Sequence, residues 1–65
     1  MKEKKPLFRM KVKRMERGLT QKELASKVGV KPMTIYNYES GEHSPPLETL
    51  KRIASALECT IDEIV

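Results

Sequence analysis

The stretch from residue 20 to residue 41, TQKELASKVGVKPMTIYNYESG, leaves this chain few ways to fold. Thr20 is a good N-cap residue, and Glu23 completes a T-x-x-E capping box, in which each side chain satisfies the other residue's backbone N–H. Leu24, Ala25 and Val28 then recur with helical period. Gly29 can take the positive φ that ends a helix at C′. Pro32, with fixed φ and no N–H, suits the first position of the next helix. Ile35 and Tyr38, three apart, seat that second helix on a core, and Ser40-Gly41 closes it. Each predicted helix has about two turns, too few to be stable alone in water. The remainder of the chain must fold over the pair.

That remainder is also patterned for helices. Residues 7–17, LFRMKVKRMER, carry two overlapping apolar stripes: Phe8, Val12 and Met15 at i, i+4 and i+7, and Leu7 with Met10. Either stripe can face inward, and Gly18 ends the helix. Leu47, Leu50, Ile53, Ala54 and Leu57 form a core stripe on a helix over residues 47–57. Thr60 and Glu63 repeat the capping-box pattern and open a short final helix. Ile61, Ile64 and Val65 on it must dock or meet another subunit. The expectation is an all-α, compact five-helix bundle over residues 7–65, with residues 1–6 disordered or a basic arm. At 65 residues a single small core is available, burying only about 60% of the unfolded surface. A second domain, a large ligand pocket and a long lid are not expected.

A helix, a tight turn and a second helix of this kind make the DNA-binding helix-turn-helix. Charge agrees with it. The net charge of +4 hides an asymmetry: residues 1–17 hold eight Lys/Arg against two Glu, and residues 18–65 hold five against seven Asp/Glu. A basic first third suits a phosphate-facing surface, and equally a solvated helix face. Cys59 is the only cysteine, so no internal disulfide forms; it reads as a small apolar filler and fits a reducing compartment. No apolar run is long enough to span a bilayer and no signal-peptide pattern is present. A soluble, cytoplasmic, nucleoid-associated protein is expected. His43 is the only histidine and has no Cys/His partners at ligand spacing, so no metal is expected. There is no nucleophile–base pair and no phosphate-binding glycine loop, so no enzyme and no cofactor are expected.

GLTQKELASKVGV, TIYNYESGE and LETLKRIASALECTIDEI, in that order, resemble the phage-repressor/Cro-type (XRE-like) helix-turn-helix family over about residues 10–64. The resemblance implies that residues 31–40 form the recognition helix, with residues 31–33 and 37 facing the bases. Asn37 is the strongest specific candidate, because an amide pairs bidentately with adenine N6 and N7. Lys31 suits guanine O6/N7 or a phosphate, and Pro32 and Met33 suit thymine methyl groups. Thr34 can bond a base edge or a phosphate, and Tyr36 a phosphate through its hydroxyl. Gln21, in the first turn of the preceding helix, can bond a phosphate and brace a reading side chain. Ser40 and His43 belong to the loop that faces phosphate in the family. Glu42 stands where relatives often carry a basic residue, and Lys13 where they carry an apolar one. The resemblance further implies a partly buried ion pair between Arg14 and Glu39.

The implied function is a DNA-binding transcriptional regulator, a repressor by preference, that reads double-stranded DNA at a pseudo-palindromic operator. It acts as a homodimer, formed in solution or only on DNA. The alternative is a protein-interaction module on the same fold, of antitoxin or bridging type. No membrane partner and no small-molecule effector are evident.

Overall fold

The computed structural model describes residues 5–65. Among these residues the elements are α1 (Phe8–Glu16), α2 (Gln21–Val28), α3 (Pro32–Ser40), α4 (Leu47–Ala56) and a single 3-10 turn over Ile61–Glu63. The T-x-x-E pattern at the start of α2 closes as a reciprocal box: Glu23 N–H donates to Thr20 Oγ1 at 3.0 Å, and Thr20 N–H donates to Glu23 Oε1 at 2.9 Å. Gly29 ends α2 at φ +83°. Pro32 opens α3, and Lys31 before it makes no side-chain cap.

The two stripes on α1 separate cleanly. Met10 and Arg14 are buried, whereas Phe8 and Met15 are 67% and 61% exposed. The face carrying Leu7 and Met10 turns inward because it also delivers Arg14 to a carboxylate on α3. α1 has no side-chain N-cap; the Leu7 N–H instead donates to the Tyr38 carbonyl at 3.4 Å. Its C-terminus closes with Gly18 N–H on Met15 O at 3.0 Å and Leu19 N–H on Arg14 O at 3.1 Å, the paired bonds of a Schellman motif.

Met10, Leu24, Ile35, Ile53, Leu57 and Ile64 are fully enclosed at the centre, with Ala25, Val28, Tyr38 and Ala54 around them. Two expectations are corrected here. Leu47 does not join the core; it is 60% exposed. It sits in the first turn of α4, at the edge of the stripe, while Ile53, Ala54 and Leu57 carry the burial. The bundle also has four α-helices among the described residues, not five. The last segment closes with Glu63 N–H on Thr60 O and Ile64 N–H on Ile61 O. A three-residue period brings Ile61 and Ile64 over one another, so Ile64 is buried and Ile61 packs beside it.

The expected disordered stretch or basic arm falls mainly on residues 1–4, which lie outside the described residues. Lys5 and Pro6 are exposed and cross the end of α3. A Cβ on Gly41 would stand 2.7 Å from the Pro6 nitrogen.

Candidate nucleic-acid interface

The surface is built outward from a buried polar cluster. Arg14 Nε donates to Glu39 Oε2 at 2.7 Å and Arg14 Nη2 to Glu39 Oε1 at 3.3 Å, a two-point contact between α1 and α3. Arg14 Nη1 donates to the Leu19 carbonyl at 2.7 Å, and Gln21 Nε2 donates to Glu39 Oε1 at 3.1 Å. Arg14 and Glu39 are 8% and 7% exposed, so the charges are almost wholly out of water. Among the described residues no buried side-chain nitrogen or oxygen lacks a partner. Gln21 therefore braces Glu39 and, through it, α1 and the C-terminal third of α3. Its amide nitrogen is not directed to a side chain of the exposed α3 surface.

With Ile35, Tyr38 and Glu39 facing inward, the opposite side of α3 is solvent-facing. Lys31 and Pro32 are exposed, and Met33 and Tyr36 are 64% and 51% exposed. Thr34 and Asn37 are half-buried beside them. The Asn37 carbonyl accepts from His43 N–H at 3.2 Å and from Ser40 Oγ at 3.3 Å, which folds the following loop back on the helix. His43 is exposed and Ser40 half-buried.

A small recess of about 90 Å3 opens where α1, the start of α2 and α3 meet, lined by Lys11, Gln21, Tyr36, Glu39 and Ser40. The Glu39 carboxylate in its wall is paired with Arg14. Lys11 is the residue that sequence reasoning missed. In the sequence it is one cation among several on α1, and only the packing of α1 on α3 places it beside Tyr36. Lys31, Pro32, Met33 and His43 do not line this recess.

Lys13 is half-buried and pairs with Glu16 at 3.5 Å. Cys59 is half-buried against the core, and burial pushes its thiol pKa above the ordinary value. Among the described residues no group of three or more His, Cys, Asp and Glu is placed to hold a metal ion. No described helix is long and apolar enough to cross a membrane.

Known proteins share this arrangement. The P22 c2 repressor, solved with a synthetic operator, superposes with a TM-score of 0.85 at 27% identity over 94% of each chain. The restriction-modification controller protein C.AhdI of Aeromonas hydrophila superposes at 0.83, with 26% identity over 88% of this chain and 86% of that one. Among curated sequences, the cryptic phage CTXphi transcriptional repressor RstR of Vibrio cholerae is 39% identical over 91% of this chain and 55% of its own length. Antitoxin HipB of Escherichia coli is 40% identical over 80% of this chain and 59% of its own. The chain thus spans about half the length of these curated relatives. The family model HTH_3, helix-turn-helix, matches residues 10–64, and the chain belongs to the XRE/Cro-type helix-turn-helix family of DNA-binding regulators.

Proposed function

We propose that this chain is a sequence-specific reader of double-stranded DNA that acts as a transcriptional repressor, bound as a homodimer to a pseudo-palindromic operator. The observation that carries the reading is the outer face of α3. Lys31, Pro32, Met33 and Tyr36 are exposed on a helix whose other face is locked into the core and the Arg14–Glu39 cluster. Nine residues make a rod about 14 Å long and 10–12 Å across, a fit to a major groove about 12 Å wide. In this reading Asn37 pairs with adenine, Lys31 takes guanine or phosphate, Pro32 and Met33 meet thymine methyl groups, and Thr34 bonds a base edge or phosphate. Tyr36, Gln21, Ser40 and His43 hold phosphates, and Lys11 joins them from the recess. Phosphate contacts set position while base contacts specify sequence. One short helix reads few bases, so two copies address half-sites about 34 Å apart.

The test is selection of bound sequences from a random duplex pool at near-physiological salt, with wild type and with Asn37→Ala. A two-fold-symmetric site, degraded at one base per half-site by the substitution, is the expected result. A flat preference across sequences, with the protein folded, refutes it. The likeness to antitoxin HipB favours one second reading, a module that engages a protein partner. A stable hetero-complex without a selected DNA site identifies that case.

A further inference from the structure

Two successive side chains in the first turn of α3 carry no strong hydrogen-bonding group. Pro32 has an apolar ring and no N–H, and Met33 offers only a weakly accepting thioether. Pro32 is exposed and Met33 is 64% exposed. Met33 lies four positions before Asn37, so the two share a side of the helix. Ile35, Tyr38 and Glu39 hold the opposite side in the fold.

In the major groove the base edges are polar except at one feature, the C5-methyl group of thymine. Cytosine lacks it and sets an N4–H2 donor beside the same ring carbon. Side chains with no strong donor or acceptor gain from the methyl and nothing from the O4 or N4 next to it. Lys31, exposed at the N-cap, addresses acceptors, and both base pairs supply one at purine N7. We infer that Pro32 and Met33 read a major-groove methyl group rather than a particular base, so that 5-methylcytosine serves in place of thymine at the position they cover and unmodified cytosine does not. Met33 is unbranched and adjustable, and the methyl stands on the same ring carbon in both pyrimidines. A site with cytosine at that position is therefore bound more tightly once the cytosine is methylated. The inference rests on the DNA-reading proposal for α3 and names the chemical group that its tip selects.

Other occupants fit this tip less well. Two side chains on one helical turn cover far less than the roughly 800 Å2 per partner of a stable protein interface, whereas a single methyl group needs no more than that. Phosphate gains nothing from either side chain. Residues one turn apart on a helix stand about 5–6 Å from each other and stacked base pairs about 3.4 Å, so the methyl lies about one or two base pairs from the adenine assigned to Asn37.

The experiment takes the duplex recovered by selection and measures its dissociation constant by fluorescence anisotropy at fixed salt. At the thymine nearest the adenine that Asn37→Ala releases, the T·A pair is exchanged in both half-sites for U·A, for C·G and for 5-methylcytosine·G. Losing one methyl from an apolar contact weakens binding about fourfold, so U·A in both half-sites should cost about fifteenfold. C·G should cost at least as much, and 5-methylcytosine should recover most of the loss. Met33→Ala, at an exposed position, keeps the wild-type melting temperature and narrows the thymine–uracil difference, whereas Met33→Leu retains it. Equal affinity for thymine and uracil, or no gain on methylating cytosine, overturns the inference and leaves the DNA reader standing. A selected site with no thymine within about two base pairs of that adenine, on either strand, overturns it too. So does a thymine–uracil difference undiminished in Met33→Ala, since another residue then meets the methyl. Absence of any selected site refutes the DNA-reading proposal itself, and the inference with it.

Discussion

Glu39→Gln tests whether the buried cluster holds α3 in place. The carboxylate accepts three hydrogen bonds, two from Arg14 and one from Gln21, at 2.7, 3.3 and 3.1 Å. Glutamine retains one carbonyl acceptor and sets an NH2 group against either the guanidinium or the Gln21 amide, both of which can only donate from the atoms involved. It also leaves the Arg14 charge, on a residue 8% exposed, without a counter-charge. Breaking a buried pair at one partner costs roughly 3–5 kcal/mol. At about 0.05–0.15 kcal/mol per residue, a domain of this size has a total stability of about 3–10 kcal/mol, so the variant loses a third of it or more. At about 4–8 °C per kcal/mol the melting temperature falls by at least about 12 °C. The assay is urea and thermal unfolding by circular dichroism for wild type, Glu39→Gln, Arg14→Met and the Arg14→Met/Glu39→Met double variant. The double variant should recover much of the loss, because apolar replacement of both partners removes the stranded charge. A Glu39→Gln protein within about 1 kcal/mol of wild type refutes the reasoning.

Three further outcomes follow from the backbone and the caps. Gly41→Ala and Gly29→Ala each place a side chain at positive φ, but a Cβ at Gly41 meets Pro6 N at 2.7 Å and Lys5 atoms at 2.9 Å, whereas nothing lies within 4 Å at Gly29. Gly29→Ala should therefore cost about 1–2 kcal/mol and Gly41→Ala clearly more, measured as urea midpoints at unchanged m-value. Glu58, at φ +55°, holds the C′ place that glycine usually takes, so Glu58→Gly should stabilise by about 0.5–1 kcal/mol; a loss of stability would contradict this. The backbone and hydroxyl of Thr20 hold the Glu23 carboxyl below the ordinary carboxylate pKa. Its stabilisation is complete above the unfolded value and disappears as pH falls through the lowered folded value. Unfolding of Glu23→Gln between neutral and strongly acidic pH should show a correspondingly shallower acid dependence than wild type.

What could be read from the sequence divides along the range of the interactions involved. The Thr20–Glu23 box, the turn at Gly29 and the opening of α3 at Pro32 depend on residues within four of one another, and all three stand as the local pattern indicates. Which side of α1 faces inward does not depend on α1 alone. Two apolar stripes compete there, and the choice is made by a carboxylate 25 positions later, which Arg14 can reach only from the Met10 side. Leu47 has the right spacing for burial but lies in the first turn of α4, at the margin of the stripe. Glu58 gave no signal as a helix terminator because it is not glycine. Yet Cys59 N–H bonds Ala54 O at 2.9 Å and Glu58 N–H bonds Ser55 O at 3.1 Å, so the motif forms with its usual residue missing. Lys11 at the recess is legible only once α1 and α3 are packed.

The distribution of restraints along α3 bears on how the proposed reading helix would meet a partner. Its C-terminal third is held from several directions: Leu7 N–H on the Tyr38 carbonyl, Arg14 and Gln21 on Glu39, and the chain at Lys5 and Pro6 across Gly41. Ile35, fully enclosed, fixes the middle. Among the described residues the N-terminal turn shows its own backbone bonds, Thr34 N–H and Ile35 N–H on the Lys31 carbonyl, and no side-chain cap. The helix is therefore anchored at its far end and projects its first turn, where Lys31, Pro32 and Met33 are exposed. Restraint at the far end determines the angle at which that tip meets a partner, while the tip keeps uncommitted side chains. Such a division lets residues 31–33 vary with little cost to the fold, whereas Arg14, Gln21 and Glu39 are bound to one another by geometry. It also explains why a loss at Glu39 should be felt first as a loss of folding.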